Sequence, residues 1–296
     1  MPTSVKIFMT ALEPFIRLAR PGHYLKNGFV FVPLFFAHRF FHWPSLMSSL
    51  VAFAGFSLAA SVVYVVNDIV DRHRDAQHPL KRTRPIAAGR ITVTRARRFG
   101  LVLTVLTAGC CLLVYRADYF LIIVLYMLLN LLYTIRMQHR VGLGAVCVAI
   151  GFVLRVFAGA VVIAVPVSGW LATLTFLLAL FLALSKRRCE AQAVGHAAAP
   201  RQPTVPGALV IFMAAACLAG YVFYALSPAV VREHGAPRLY LSAVWVALGL
   251  YRYLRVVFHP TGDCSPVAVL LKDRVLQLIV VLWIFSLWWM LYAAPA

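Results

Sequence analysis

The stretch LMSSLVAFAGFSLAASVVYVVNDIVDRHRD, residues 46–75, decides the fold. Its first part, 46–66, carries no charge and is long enough to cross about 30 Å of hydrocarbon as a helix. Its second part sets Asp68, Asp71 and Asp75 directly behind that helix. Outward from it, further apolar runs at 28–41, 99–115, 118–135, 142–164, 168–185, 207–227, 239–257 and 274–293 predict nine spans in all. The chain of 296 residues is 62% hydrophobic and 12% charged, too little charge to wet a soluble domain of this size. The fold class is therefore all-α integral membrane, because a helix satisfies its own backbone in lipid. Residues 1–27 read as an amphipathic interfacial lead and residues 28–296 as a nine-helix transmembrane domain. Within the lead, Lys6, Arg17 and Arg20 alternate with Ile7, Phe8, Leu12, Phe15 and Ile16 until Pro21 ends the helix. An apolar run that begins only near Gly28 does not resemble a cleaved signal peptide.

The formal charge is +19, from 28 Lys and Arg against 9 Asp and Glu. In a soluble chain this excess would point to nucleic acid. Here the cations gather in alternate loops, which points to membrane orientation and anionic ligands, with no nucleic acid. The lead, the loop after 46–66 and the loops after 118–135, 168–185 and 239–257 hold most of them. The opposite loops hold Arg39, Arg116, Arg232 and Arg238. The bias predicts a multi-pass protein of the inner (plasma) membrane, with N-terminus and working loops cytoplasmic and C-terminus outside. Of 6 Cys, Cys110, Cys111, Cys147 and Cys217 fall inside expected spans. No CxxC pair or His/Cys cluster is present, so neither a disulfide framework nor a zinc site is expected.

Three constellations can carry chemistry. In the first, Asn67-Asp68-Ile69-Val70-Asp71-Arg72-His73-Arg74-Asp75, a continuing helix would bring the three aspartates to one face, with Asn67 at its edge. Hard oxygens at that spacing suit Mg²⁺, which binds through a few carboxylates plus substrate phosphate. The alternative is a solvated acidic patch balanced by its arginines. The second, His78-Pro-Leu-Lys81-Arg82-Thr-Arg84-Pro-Ile-Ala-Ala-Gly89, is a proline-stiffened basic loop. Its guanidinium forks match phosphate oxygens, and some of its charge also serves orientation. The third, Lys186-Arg187-Arg188-Cys189-Glu190, presents two cations flanking a carboxylate, or else a surface ion pair. Arg155, alone inside an apolar run, should face an internal cavity or hold two helices together. Lys26, Tyr133, Arg136 and Arg274 complete the candidate ring. The segment 195–207, rich in Pro and Ala, reads as a linker.

Asn67-Asp68-x-x-Asp71-x-x-x-Asp75 after the second span resembles the UbiA superfamily of intramembrane prenyltransferases. Within it the chain is most similar to the branch of decaprenyl-phosphate phosphoribosyltransferases. Supporting stretches are Pro21 to Pro33 with Lys26-Asn27, His78 to Gly89, Gly151 to Arg155, Lys186 to Glu190 and Leu270 to Arg274. The resemblance covers most of the chain. It implies nine helices in a ring around a cavity open to lipid and cytoplasm. It also implies transfer of 5-phosphoribose from phosphoribosyl diphosphate (PRPP) to a polyprenyl (decaprenyl) phosphate, releasing diphosphate. Carried over by residue, Asn67, Asp68, Asp71 and Asp75 would hold Mg²⁺ and diphosphate. Lys26, Lys81, Arg82, Arg84, Arg155, Lys186 and Arg187 would take phosphates. Two departures stand out: Gly144 replaces an Asp that relatives often carry, and the linker after Glu190 lacks a Tyr-containing pattern.

The charge inventory favours this branch. Superfamily members that ionise a prenyl diphosphate use two Asp-rich motifs, whereas the second position here, Lys186 to Glu190, is net cationic. That suits one metal-bound diphosphate and one bare phosphate. Two rivals stay open. A prenyltransferase joining an isoprenoid diphosphate to an aromatic or other small acceptor would need a second acidic motif. A lipid-phosphate or anion transporter would not need the acidic helix face.

Overall fold

A computed structural model of the chain describes residues 12–77, 79, 81–137, 140–194, 205–259 and 264–293. Residues 4–11 of the amphipathic lead, His78 and Leu80 of the basic loop, His139, linker residues 195–204 and Asp263 lie outside the described residues. Every regular element among the described residues is helical. Eight of these helices are long and apolar enough to cross a bilayer: α1 Trp43–Val70, α2 Val93–Val114, α3 Ala117–Met137, α4 Gly142–Val162, α5 Gly169–Gln192, α6 Gly207–Leu226, α7 Leu239–Phe258 and α8 Arg274–Tyr292. The chain is a multi-pass membrane protein.

The expected span at 28–41 is built differently. Pro21–Phe31 winds as a 3-10 helix and Val32–Phe36 follows as a short α-helix. Pro21 and Pro33 each lack an N–H, so neither can sit inside one long α-helical ladder. Pro21 also disfavours the right-handed helical conformation at the residue before it. Accordingly the helix over residues 12–19 stops at Arg20, whose backbone turns left-handed at φ 55°, ψ 57°.

The chain forms two compact units, Met1–Arg136 with Leu154–Val167, and Met137–Val153 with Ser168–Ala296. In the first unit, α1 buries a face of small residues that includes Ser49, Ala52, Ala59, Ala60 and Ser61. Small side chains let neighbouring backbones come close, which is how helices pack where lipid competes for every apolar contact. Phe56, Tyr119, Ile122, Ile123 and Tyr126 fill the space beside it, and the Tyr119 hydroxyl donates to the Ala52 carbonyl at 2.9 Å. The 3-10 segment presses directly on α4: a Cβ at Gly159 would lie 1.9 Å from the Val30 carbonyl oxygen. A second cluster, including Leu18, Val62, Val65, Ile86, Ile91 and Leu103, binds the 12–19 helix, the basic loop and α2 onto α1. Helix α1 has 28 residues, about 42 Å at 1.5 Å per residue. It outreaches the hydrocarbon and carries Asn67 and Asp68 on its last turn.

In the second unit, Phe181, Leu184, Val210, Met213, Leu250, Tyr253 and Leu276 form the core. Tyr221 is hydrogen-bonded to Ser242 at 2.7 Å and accepts from the Trp283 indole at 3.2 Å, tying α6, α7 and α8 together. The expectation of no disulfide is corrected here. Cys189 and Cys264 are bonded, 75 positions apart with Cα atoms at 5.7 Å. Their spacing carries no motif; the fold alone brings the end of α5 to the segment ahead of Pro266–Lys272.

Candidate functional site

The first unit gathers the acidic residues. Asp68, on the last turn of α1, and Asp75, on the short helix Arg72–Gln77, are both buried. Burying two carboxylates is costly unless cations and hydrogen bonds compensate them. Two arginines do so. Arg20 Nη2 donates to Asp68 Oδ1 at 2.5 Å; Arg84 Nη1 donates to the same oxygen at 3.2 Å and to Asp75 Oδ2 at 2.6 Å. The second oxygen of Asp68, Oδ2, is buried with no hydrogen-bond partner among the described residues. Burial draws the Arg20 guanidinium below its ordinary range, against the opposing pull of the Asp68 charge.

One continuous helix was expected here, and the structure corrects this. Helix α1 ends at Val70, and Asp71 closes it with its N–H on the Asn67 carbonyl at 2.8 Å. The Asp75 N–H in turn reaches the Asp71 carbonyl at 2.8 Å. Asp71 is half-buried at this break and makes no ion pair among the described residues. Asp68 and Asp75, one turn to either side, share Arg84.

The basic loop delivers Arg84 through a compact turn. Its N–H donates to the Lys81 carbonyl at 2.9 Å and its carbonyl accepts from Ala88 at 2.8 Å. Gly89, at φ 70°, reverses the chain in the left-handed region that glycine enters without strain. Lys81 and Arg82 are exposed on the same loop.

Asn67 is half-buried, and its side-chain oxygen accepts a very short hydrogen bond from the Thr134 hydroxyl. Thr134 sits on a π-turn, Tyr133–Met137, a widened winding that recurs at functional sites. On the same turn Tyr133 is half-buried and Arg136 exposed. Deeper in this unit, Arg155 donates from Nε to Asn27 Oδ1 at 2.8 Å and from Nη2 to the Tyr126 hydroxyl at 3.1 Å. Its guanidinium lies 4.9 Å from the ring centroids of both Phe56 and Tyr126. Asn27 donates onward to Ser57 at 3.0 Å. Lys26, next to it, is half-buried.

The second unit holds the cationic cluster. Lys186 pairs with Glu190 at 3.3 Å, both partly exposed. Arg187 goes elsewhere: a Cβ on Gly144 would stand 2.2 Å from its Nη2, so the guanidinium occupies the space a side chain there would need. Arg188 is structural, donating to the Val205 carbonyl at 3.0 Å and stacking over Phe258. Arg274 is exposed at the start of α8. Its neighbour Asp273 caps that helix, accepting from the Leu276 N–H at 3.0 Å and from Arg252 Nε at 2.9 Å.

Among the described residues, no group of three His, Cys, Asp or Glu converges as a ready metal site. A magnesium ion does not require one, since it uses one or two carboxylates and completes its shell with phosphate and water. The unpartnered Asp68 Oδ2 is the hard, anionic donor such an ion takes. Sequence reading missed Arg20 and Thr134 as site residues. Arg20 stands 48 positions from Asp68 and Thr134 stands 67 from Asn67, so no local spacing links either pair.

Comparison with known proteins agrees with this architecture. The profile of the UbiA prenyltransferase family matches residues 28–271. A Corynebacterium glutamicum protein named decaprenyl-phosphate phosphoribosyltransferase is 30% identical over 291 residues, covering 95% of this chain and 87% of its own length. A Mycobacterium tuberculosis protein of the same name is 28% identical over 283 residues, 91% of each. The solved structure of a UbiA homolog from Archaeoglobus fulgidus, bound to GPP and Mg²⁺, shares the fold with a TM-score of 0.68 at 15% identity. It covers 92% of this chain and 97% of that one.

Proposed function

The chain belongs to the UbiA prenyltransferase family, and on that premise we propose that it transfers 5-phosphoribose from PRPP to a polyprenyl phosphate, with release of diphosphate. The observation that carries this reading is the buried Asp68–Asp75 pair, bridged by Arg84 and with one Asp68 oxygen unpartnered. An acidic set that already holds cations is suited to a metal-bound diphosphate. The cationic Lys186 to Glu190 cluster, with its single carboxylate, suits a bare phosphate. The relatives named above as decaprenyl-phosphate phosphoribosyltransferases support the substrate pair.

In this reading Asp68, Asp71, Asp75 and the Asn67 amide are the set that would hold Mg²⁺, one or two of the carboxylates directly and the others through its water and phosphate shell. That ion, when bound, neutralises the leaving diphosphate. Arg84, Lys81 and Arg82 bind its phosphate oxygens. Lys26, Arg155, Tyr133 and Arg136 surround the donor, with Arg155 fixing Asn27 and Tyr126. Lys186, Arg187, Glu190 and Arg274 position the acceptor phosphate. The bond from ribose C1 to the diphosphate oxygen breaks and a bond from C1 to the lipid phosphate oxygen forms. The acceptor is already anionic and needs little general-base help, so aligning two anions against their repulsion is much of the catalysis.

Residues 1–27 serve as an interfacial lead and 28–296 as the catalytic domain, in the plasma membrane with N-terminus and site cytoplasmic. A ninth crossing is supplied by Pro21–Phe36, which moves the end of the interfacial lead back from residue 27 to Arg20. At about 2.0 Å per residue in 3-10 and 1.5 Å in α winding, those residues reach close to 30 Å. The deciding experiment incubates purified protein and Mg²⁺ with PRPP plus polyprenyl phosphate, beside a second tube holding prenyl diphosphate plus an aromatic acid. A phosphoribosyl lipid in the first tube alone is the expected result; a prenylated aromatic in the second alone reassigns the reaction. Asp68→Asn should lower turnover by at least about a hundredfold, as losing a main electrostatic contact does, while the protein still purifies folded. Undiminished turnover in that variant removes the metal role.

A further inference from the structure

We propose that Arg20 is a positioning residue that holds the Asp68 carboxylate while no metal is bound and passes to a phosphate oxygen of the substrate when a divalent ion takes its place. The inference rests on the functional reading above.

Three observations carry it. First, Asp68 is compensated lopsidedly. Both Arg20 and Arg84 donate to Oδ1, and Oδ2 is buried with no partner. A carboxylate paired for stability alone would share its cations across both oxygens, as bidentate arginine pairs do. Two guanidinium groups on one oxygen leave the other without a cation of its own. Second, Arg84 already compensates Asp68 and joins it to Asp75, so Arg20 can leave without stranding an unpaired buried charge. Third, Arg20 is held in place from behind. Its backbone is left-handed, a conformation residues with a Cβ adopt at a cost and that clusters at functional sites. Its guanidinium lies 5.0 Å over the Tyr64 ring, whose hydroxyl is 3.3 Å from His23 Nδ1. The backbone turn and the Tyr64 ring thus keep the fork beside Asp68, where exchanging one anionic oxygen for another needs only a small movement of its Nη atoms.

The electrostatics give a sign that a structural role would not. A divalent ion arriving alone must compete with Arg20 for Asp68. An ion arriving with diphosphate brings oxygens that Arg20 can bind, and a guanidinium fork fits them better than it fits one shared carboxylate oxygen. Removing Arg20 should therefore tighten bare metal binding and weaken substrate binding.

The test measures Mn²⁺ binding to the full-length protein in detergent by electron paramagnetic resonance of the free ion, and PRPP binding with Mn²⁺ present. Arg20→Gln should bind Mn²⁺ at least about threefold more tightly and PRPP about tenfold more weakly, the effect of one charge-assisted hydrogen bond. Arg20→Lys should move both values back toward wild type. Arg20→Gly, which adopts the local backbone without strain, should reproduce the Gln result and serves if that variant fails to fold. Mn²⁺ binding in the Gln or Gly variant that is unchanged or weaker, or PRPP binding that is undiminished, overturns the proposal. A wild-type protein that binds neither Mn²⁺ nor PRPP overturns the functional reading and this inference with it. Wild-type binding of both, unaltered in the variants, overturns the role of Arg20 alone.

Discussion

At the scale of single residues, the site is defined by what surrounds each charge. Arg187 and Lys186 are sequence neighbours with different surroundings: Lys186 meets Glu190 in a partly exposed pair, worth little, and Arg187 lies against the bare backbone of Gly144. Gly144→Ala puts a methyl group where the Arg187 guanidinium now lies. The flexible tip of Arg187 must move aside and the Met137 carbonyl oxygen, 3.2 Å away, must give slightly, so the protein should still fold. If Arg187 binds a phosphate, the KM for one of the two phosphate substrates should rise about tenfold, the loss of one charge-assisted hydrogen bond. Steady-state kinetics with each substrate varied separately checks it. Sequence reading singled out the carboxylates and clustered arginines as candidates because charges are few in a chain this apolar. It could not identify Arg20, whose role is set by a contact 48 positions away and whose own neighbours look like an interfacial helix.

At the scale of elements, hydropathy located the spans after residue 46 closely, and the differences have local causes. The 46–66 run ends where charge begins, but helix α1 continues to Val70 because Asn67 and Asp68 are compensated by Thr134, Arg20 and Arg84. The 28–41 run is apolar, yet Pro21 ahead of it and Pro33 within it give the segment a mixed winding that hydropathy does not register. Caps matter elsewhere. Asp273 opens α8, and although burial works against its charge, the Leu276 N–H and Arg252 hold its carboxyl below the usual range. A carboxyl with a lowered folded-state pKa contributes stability above its unfolded value, about 3.9, and loses it as pH falls through the folded value. Asp273→Ala should thus destabilise the protein by about 1 kcal/mol at neutral pH. The gap between variant and wild type should narrow below about pH 4. Thermal unfolding in detergent across that range measures both.

At the scale of the whole molecule, the distribution of Lys and Arg is the strongest signal in the sequence. It predicts a cytoplasmic loop bearing Lys81 and an outside segment bearing Arg232. Lys81→Cys and Arg232→Cys, both at exposed positions, make this measurable. A membrane-impermeant maleimide should label the second in intact cells and the first only in inverted vesicles; the reverse pattern would invert the orientation. The division into two units and the Cys189–Cys264 bond were not legible. Both are products of long-range packing in a chain whose apolar runs look alike one at a time.

The 3-10 winding of Pro21–Phe31 has a geometric corollary. With three residues per turn, positions three apart stack in a single column. Tyr24, Asn27 and Val30 fall in one such column, reaching Ser61 at 2.8 Å, Ser57 at 3.0 Å and the surface of Gly159. An alanine inserted after Lys26 would turn the column beyond it by about a third of a revolution and unlatch Asn27 from Ser57 and Arg155. Three inserted alanines would return it to phase. Activity lost with one insertion and regained in part with three would identify this rung-by-rung register; equal loss in both would mean that segment length, not phase, governs the site.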